Sequence, residues 1–251
     1  MPGILGRYPM TSSLLCWAVI WELVGRLGLI QLLPPLSQVV GAMGEVVSTT
    51  TFARAALDTL AAFTIGMAIA IVAGVAIGVA MGRSKIADDF LGLWVNLFLS
   101  APLTALVPVL MILFGFGQTT IIVTVILFAI WIIVLDTRAG VRNASPSLVE
   151  MARSFGASPA QLYGKVLLLA ALPEILTGIR LGVIRGVKGV VIGQLLVSIV
   201  GLGELFELYS RSFLLEQFWA LTLVLFAFAI LLAEGVAAVE RRVDYFAGTR
   251  G

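Results

Sequence analysis

The chain has 251 residues, of which 60% are hydrophobic and 12% charged, with a mean hydropathy of +1.10. Soluble domains average about 45–50% apolar and about 25% charged residues, so a soluble globular protein is excluded and an integral membrane protein is indicated. The net charge of +2 carries little information, because in a membrane protein the placement of charge matters more than its sum. The absence of His argues against His-based metal or proton-relay chemistry, and the single Cys16 has no partner for an intrachain disulfide.

A spanning helix needs about 20 largely apolar residues. The stretch 12–33 is the first such segment. It is too long for a signal-peptide core and lacks a small-x-small cleavage site after it, so it reads as a retained helix. Glu22 and Arg26 interrupt it at i,i+4 with the acid first, a spacing that allows pairing on one face. The segment 34–53 opens on Pro34-Pro35 and suits a short amphipathic surface helix. Further apolar stretches follow at 56–81, 90–114 (with Pro102 and Pro108), 118–136, 175–200 and 217–239, the last ending at Glu240-Arg241-Arg242. The expected fold is therefore all-α, a polytopic bundle of about six transmembrane helices. Residues 1–54 form the first helix and outer segment, 55–240 the core, and 241–251 a tail.

Lys and Arg in short loops favour the cytoplasm. With both termini inside, Arg7, Arg83, Lys85, Arg138, Arg142, Arg153, Lys165, Arg241, Arg242 and Arg250 fall inside, against Arg54 and Arg211 outside. A five-helix alternative leaves 12–33 at the interface. Two helices carry small residues about every fourth position: Gly66, Ala70, Gly74, Gly78 and Gly82 in one, and Gly178, Gly182 and Gly186 with Gly189 and Gly193 in the other. Such ridges let backbones approach closely in lipid. They serve packing within the subunit or a bendable pathway helix.

The polar stretch 137–174 is placed inside by this topology. Ser145-Pro146 fits N-cap and N1, Ser147 with Glu150 fits a capping box, and the helix they start presents Leu148, Met151, Ala152 and Phe155. Gly156 suits a left-handed end. Ser158-Pro159 with Gln161 starts a second short helix with an apolar face of Leu162, Val166 and Leu169, and Pro173 marks its end.

This stretch resembles the cytoplasmic coupling loop, the "EAA" loop, of bacterial ABC-importer permeases. That pattern is Glu-Ala-Ala, three residues, Gly, nine residues, an apolar residue, one more, then Leu-Pro. Here it reads Glu150-Met151-Ala152, three residues, Gly156, nine residues, Val166, Leu167, Leu168-Leu169. Met151 and Leu169 depart from it, and Ala170-Ala171-Leu172-Pro173 resembles the AALP that often follows. Pro102 to Pro108 with Phe114-Gly115-Phe116-Gly117, and Gly201-Leu202-Gly203, resemble other parts of the same family, which covers about residues 55–240. Within it the chain is most similar to permeases of the nitrate, sulfonate and taurine type.

The resemblance implies a type I importer permease, commonly a homodimer, in the inner membrane. It implies an ATPase dimer that carries ATP and Mg and docks on Glu150, Met151, Ala152, Arg153, Phe155 and Gly156. An extracytoplasmic binding protein would deliver a small anion. No nucleic-acid partner, metal or cofactor of its own is expected. The chain is expected to be non-catalytic: it has no Gly-x4-Gly-Lys-Ser/Thr loop, since Gly164-Lys165 has Pro159 and Val166 at the flanking positions, no Gly-x-Ser-x-Gly elbow and no Cys/His metal spacing.

Arg185, Lys188 and Gln194 stand inside the fifth segment, where charge is expensive and usually faces a cavity or a partner. Arg185 and Lys188 are three apart and can share a face toward an anion. A salt bridge to an acid such as Asp58, or a cytoplasmic gate, is the other reading. Glu204, Glu207 and Arg211 in the segment after Gly201 either face the binding protein or form a solvated turn. The rival classes are a self-sufficient secondary transporter or channel, which often shows internal repeats that are not evident here, and an intramembrane enzyme, for which Asp58 and Lys188 stand alone.

Overall fold

The computed structural model describes the backbone of residues 9–197 and 199–248. It describes side chains over 12–197 and 199–231, with 234, 235 and 238. Arg7, Arg241, Arg242 and Arg250, used above to orient the chain, and Glu240, which ends the last apolar stretch, lie outside the described side chains. The regular structure among the described residues is helical, with no strand.

Eleven helices follow in order: α1 Pro9–Arg26, α2 Leu36–Ser48, α3 Thr50–Arg83, α4 Lys85–Ser100, α5 Val107–Phe114, α6 Gln118–Asn143, α7 Pro146–Ser154, α8 Pro159–Ala170, α9 Leu172–Val197, α10 Leu202–Arg211 and α11 Leu215–Gly248. By length and composition, α3 and α6 each suffice to cross a bilayer, and four spans result if two bent pairs are counted as one span each. The apolar part of α11, Leu215–Leu231, is shorter. The first expected span is also shorter than the 12–33 stretch, because α1 stops at Arg26 after 18 residues, about 27 Å. Glu22 and Arg26 do pair, at 2.5 Å, and Glu22 also accepts bonds from the Ser37 amide and hydroxyl. The expected surface helix after Pro35 is α2, which buries Val39, Ala42 and Val46.

The third apolar stretch is not one helix. The segments Lys85–Ser100 and Leu103–Phe114 meet at 98° around Pro102. The ring restricts the preceding residue to extended backbone, and Ala101 accordingly has φ −70° and ψ 145°.

The core is built on α6, which lies between α3 and α9. Along α3 the small-residue ridge meets α6 directly. A β-carbon on Gly66, Gly74, Gly78 or Gly82 would lie 2.8, 2.9, 2.6 or 2.7 Å from side-chain atoms of Val125, Ile133, Thr137 and Val141 respectively. On the α9 side, Gly178 abuts Asp136, Gly182 abuts Ile133 and Gly189 abuts Phe128. Both glycine ridges are thus spent on packing within the subunit, and α9 runs unbroken from Leu172 to Val197. With lipid on one side and protein on the other there is little hydrophobic drive for helix association, so this contact surface carries the bundle. We expect Gly78→Val to overpack the α3–α6 seam at a cost of about 1–3 kcal/mol. The measurement is the thermal unfolding midpoint in detergent. Gly92→Ala, whose β-carbon meets nothing within 4 Å, is the comparison, and equal midpoints would refute the packing role.

A second cluster joins α2, α10 and α11 through Val39, Val46, Leu205, Phe206, Tyr209 and Leu221. Trp21 and Trp219 close it with rings 5.3 Å apart, and their indole N–H groups donate to the carbonyls of Pro34 and Leu32.

Candidate functional site

The loop 144–171 forms two short helices at one end of the bundle. Pro146 stands at the first position of α7, after Ser145. The Ser147–Glu150 capping box does not form. Ser147 Oγ instead lies 2.7 Å from Ser145 Oγ, and α7 has no side-chain cap. The Glu150 side chain is left exposed, with no hydrogen bond or ion pair among the described residues. At the second start the box is complete: the Gln161 amide donates to Ser158 Oγ, and Gln161 Oε1 accepts from the Ser158 amide. Gly156 joins the two helices at φ 76°, in the left-handed region, with open space around its α-carbon.

α7 turns Ala152, and beside it half-buried Val149, inward onto Leu162 and Leu167 of α8. Leu148, Met151 and Phe155 are 38%, 50% and 85% exposed, an apolar strip left uncovered among the described residues. Arg153 is exposed as well. The apolar face expected for α8 is corrected by a π turn at Leu162–Leu167. One extra residue in the turn shifts the register. Leu162 and Leu167 are buried, Val166 is half-buried, and Leu169 is 61% exposed. Pro173 lies in the first turn of α9 rather than simply ending α8, and the two helices meet there at 64°.

Two contacts tie this unit to the bundle. The Arg83 guanidinium at the end of α3 lies 4.1 Å from the Tyr163 ring centre on α8. Gly140 of α6 packs against Ala171 and Glu174. Beside them, Asp88 of α4 binds two cations of α6, Arg138 at 2.5 Å and Arg142 at 2.9 Å. Lys85, also on α4, bonds Asp89 at 2.8 Å, and that carboxylate holds its ammonium above the usual lysine range. Sequence reasoning assigned Asp88 no part. Its position in the first turn of a helix facing two arginines was the available signal.

The three polar residues of α9 part company. Gln194 is 3% exposed and committed inside the subunit: its Nε2 donates to Thr59 Oγ1 at 2.8 Å, and Thr59 also accepts from the Leu202 amide. Gly201, at φ 65°, closes over this pair, and a β-carbon there would lie 2.3 Å from Gln194 Nε2. Gln194 is thus a structural lock between α3, α9 and α10. Arg185 is half-buried. Lys188 is exposed on a groove of about 620 Å³ between α9, α10 and α11. Arg185 does not line that groove, so the shared cationic face is not formed within one subunit. Asp58 is exposed and is paired with neither of them.

The segment after Gly201 is neither loop nor simple turn. It is α10, amphipathic, with Leu202, Leu205, Phe206 and Tyr209 buried. Glu204 and Arg211 are exposed, and Arg211 Nε is paired with half-buried Glu207.

Among the described residues, no group of three or more His, Cys, Asp or Glu could hold a metal. The described residues form a helical bundle with long apolar helices and an outward-facing pair of short helices, the layout of a membrane component. The chain belongs to the family described as binding-protein-dependent transport system inner membrane component, whose model matches residues 66–245. It is an ABC-importer permease. It is 30% identical to the taurine transport system permease protein TauC of Escherichia coli (strain K12), over 91% of this chain and 86% of that one. To the putative aliphatic sulfonates transport permease protein SsuC of Bacillus subtilis (strain 168) it is 30% identical, over 78% and 73%. To the bicarbonate transport system permease protein CmpB of Synechocystis sp. it is 25% identical, over 94% and 88%. The fold matches a chain of the inward-facing MetNI methionine ABC transporter at a TM-score of 0.64 and 23% identity, over 76% of this chain and 95% of that one.

Proposed function

We propose that this permease forms half of the pathway of an importer that carries a small organic or inorganic anion, driven by a separate ATPase. The observation that carries the reading is the exposed strip Leu148, Met151 and Phe155 on α7, beside unpaired Glu150 and ahead of the Gly156 hinge. An apolar strip rimmed by charge on a rigid short helix suits a surface groove of a partner. A pair of ATPase subunits, which hold ATP and Mg, would seat two such helices, one from each of two permease copies. Closure of the ATPase dimer would then move α7 and α8 as a unit and rock the bundle through Arg83–Tyr163 and Gly140–Ala171. The anion is supported by relatives named for taurine, aliphatic sulfonates and bicarbonate.

Orientation with both termini cytoplasmic is supported by where the cations stand. Arg83, Lys85, Arg138, Arg142, Arg153 and Lys165 belong to the ends of α3, α4 and α6 and to α7 and α8. That orientation puts α10 outside, where a binding protein would meet Glu204, Glu207 and Arg211. The test is purification from native membranes: an ATPase should co-purify with the tagged permease, and its absence refutes the reading. In proteoliposomes, Arg211→Glu places two acids at i,i+4 and should weaken stimulation of the ATPase by the binding protein roughly tenfold. Unchanged stimulation removes α10 from the docking surface.

A further inference from the structure

We infer that Lys188 and the groove beside it form a subsite for an anion with an apolar body, a proposal that rests on the importer reading above. Ile184, Lys188, Val191 and Leu195 follow one another at spacings of four, three and four, a single stripe on α9. The opposite stripe, with Gly182, Gly186 and Gly189, is spent on α3 and α6. Across the groove stand Phe206 of α10 and Phe218, Trp219 and Phe226 of α11. Thr222 is the other polar side chain on the wall, and its hydroxyl is already spent on the Phe218 carbonyl at 2.9 Å. Lys188 is thus one cation against an apolar and aromatic wall, with no ion pair or hydrogen bond among the described residues.

Depth argues for a transported solute over a lipid. Lys188 lies nine residues before Val197 and sixteen after Leu172, about 14 Å and about 24 Å from the two ends of α9. A phospholipid phosphate sits at the interface and would not reach that level without the side chain extending to it. A charge at that depth faces a water-filled cavity or a partner. A sulfonate or carboxylate would neutralise the ammonium, and its chain would lie against the phenyl and indole rings. A fully hydrated small anion would gain only the first of these contacts. The subsite therefore selects for a charged head with a tail of several carbons.

The experiment uses the complete importer in phosphatidylcholine nanodiscs and titrates hexane-1-sulfonate by calorimetry, with hexan-1-ol and taurine as comparisons. Hexane-1-sulfonate should bind best. Lys188→Met should weaken it by roughly tenfold or more, and Lys188→Arg should keep affinity within roughly threefold. Equal affinity in Lys188→Met, or no binding to the wild type, overturns the subsite. So does competition by added phosphatidylglycerol, which assigns the groove to a lipid headgroup. Spontaneous cross-linking of Lys188→Cys to a second permease copy also overturns it, because the groove is then a subunit interface. ATPase content of the same preparation is measured separately. If the ATPase is present and hexane-1-sulfonate does not bind, the subsite falls and the importer stands. If the ATPase is absent, the importer reading falls and the titration judges the groove alone.

Discussion

Gly156→Val is expected to cut ATP-driven uptake at least roughly tenfold while the permease still inserts in the membrane. Gly156 has φ 76°, and no atom would meet an added β-carbon within 4 Å. The cost is therefore backbone strain, about 1–2 kcal/mol for an ordinary residue in the left-handed region and more for a β-branched one. That strain falls on the turn that sets the angle between α7 and α8, not on the buried bundle. Gly156→Asn, which tolerates this conformation, should retain most of the transport. Glu150→Lys separates docking from folding. Its carboxylate makes no hydrogen bond or ion pair among the described residues, so the thermal midpoint should stay put while uptake falls. Wild-type uptake by both Gly156→Val and Glu150→Lys in proteoliposomes with the ATPase present would refute the coupling role of α7.

Asp88→Ala should produce the largest loss of stability of any single change at this end of the molecule. Asp88 is 12% exposed and holds Arg138, which is 25% exposed, and Arg142, which is 54% exposed. Removing one partner of a buried pair costs about 3–5 kcal/mol because a charge is left unpaired. The Arg142 arm is open to solvent and contributes little, so the loss comes mainly through Arg138. The yield of folded permease in detergent should fall sharply. Asp88→Leu combined with Arg138→Leu should recover much of it, since both charges leave together. If Asp88→Ala alone gives the wild-type midpoint and yield, the pair does not hold α4 to α6.

How much of this was legible beforehand follows from the range of the interactions. Helix starts at Ser145-Pro146 and Ser158-Pro159, the turn at Gly156 and the Glu22–Arg26 pair depend on neighbours within four residues, and they read directly from spacing. The Ser147–Glu150 box had the same local signature but lost to a hydroxyl pair with Ser145, since two cap candidates two residues apart compete for one helix start. The π turn in α8 escaped for a related reason. Nothing local marks an extra residue whose use is to bury Leu167 with Leu162.

Composition determined the solvent, and Pro146, Gly156 and the Ser158–Gln161 box determined the pair of short helices, because apolar length, backbone restriction and short-range hydrogen bonds need no knowledge of the rest of the chain. Only the tertiary structure decided what the polar residues of α9 do. Gln194 is claimed by Thr59, 135 positions away in sequence, and by the close approach of Gly201. Lys188 lines the groove and Arg185 does not. Residues three apart on a helix diverge by about 60°, and which neighbour each meets is set by how α9 packs on α6, a contact between segments that no local pattern encodes.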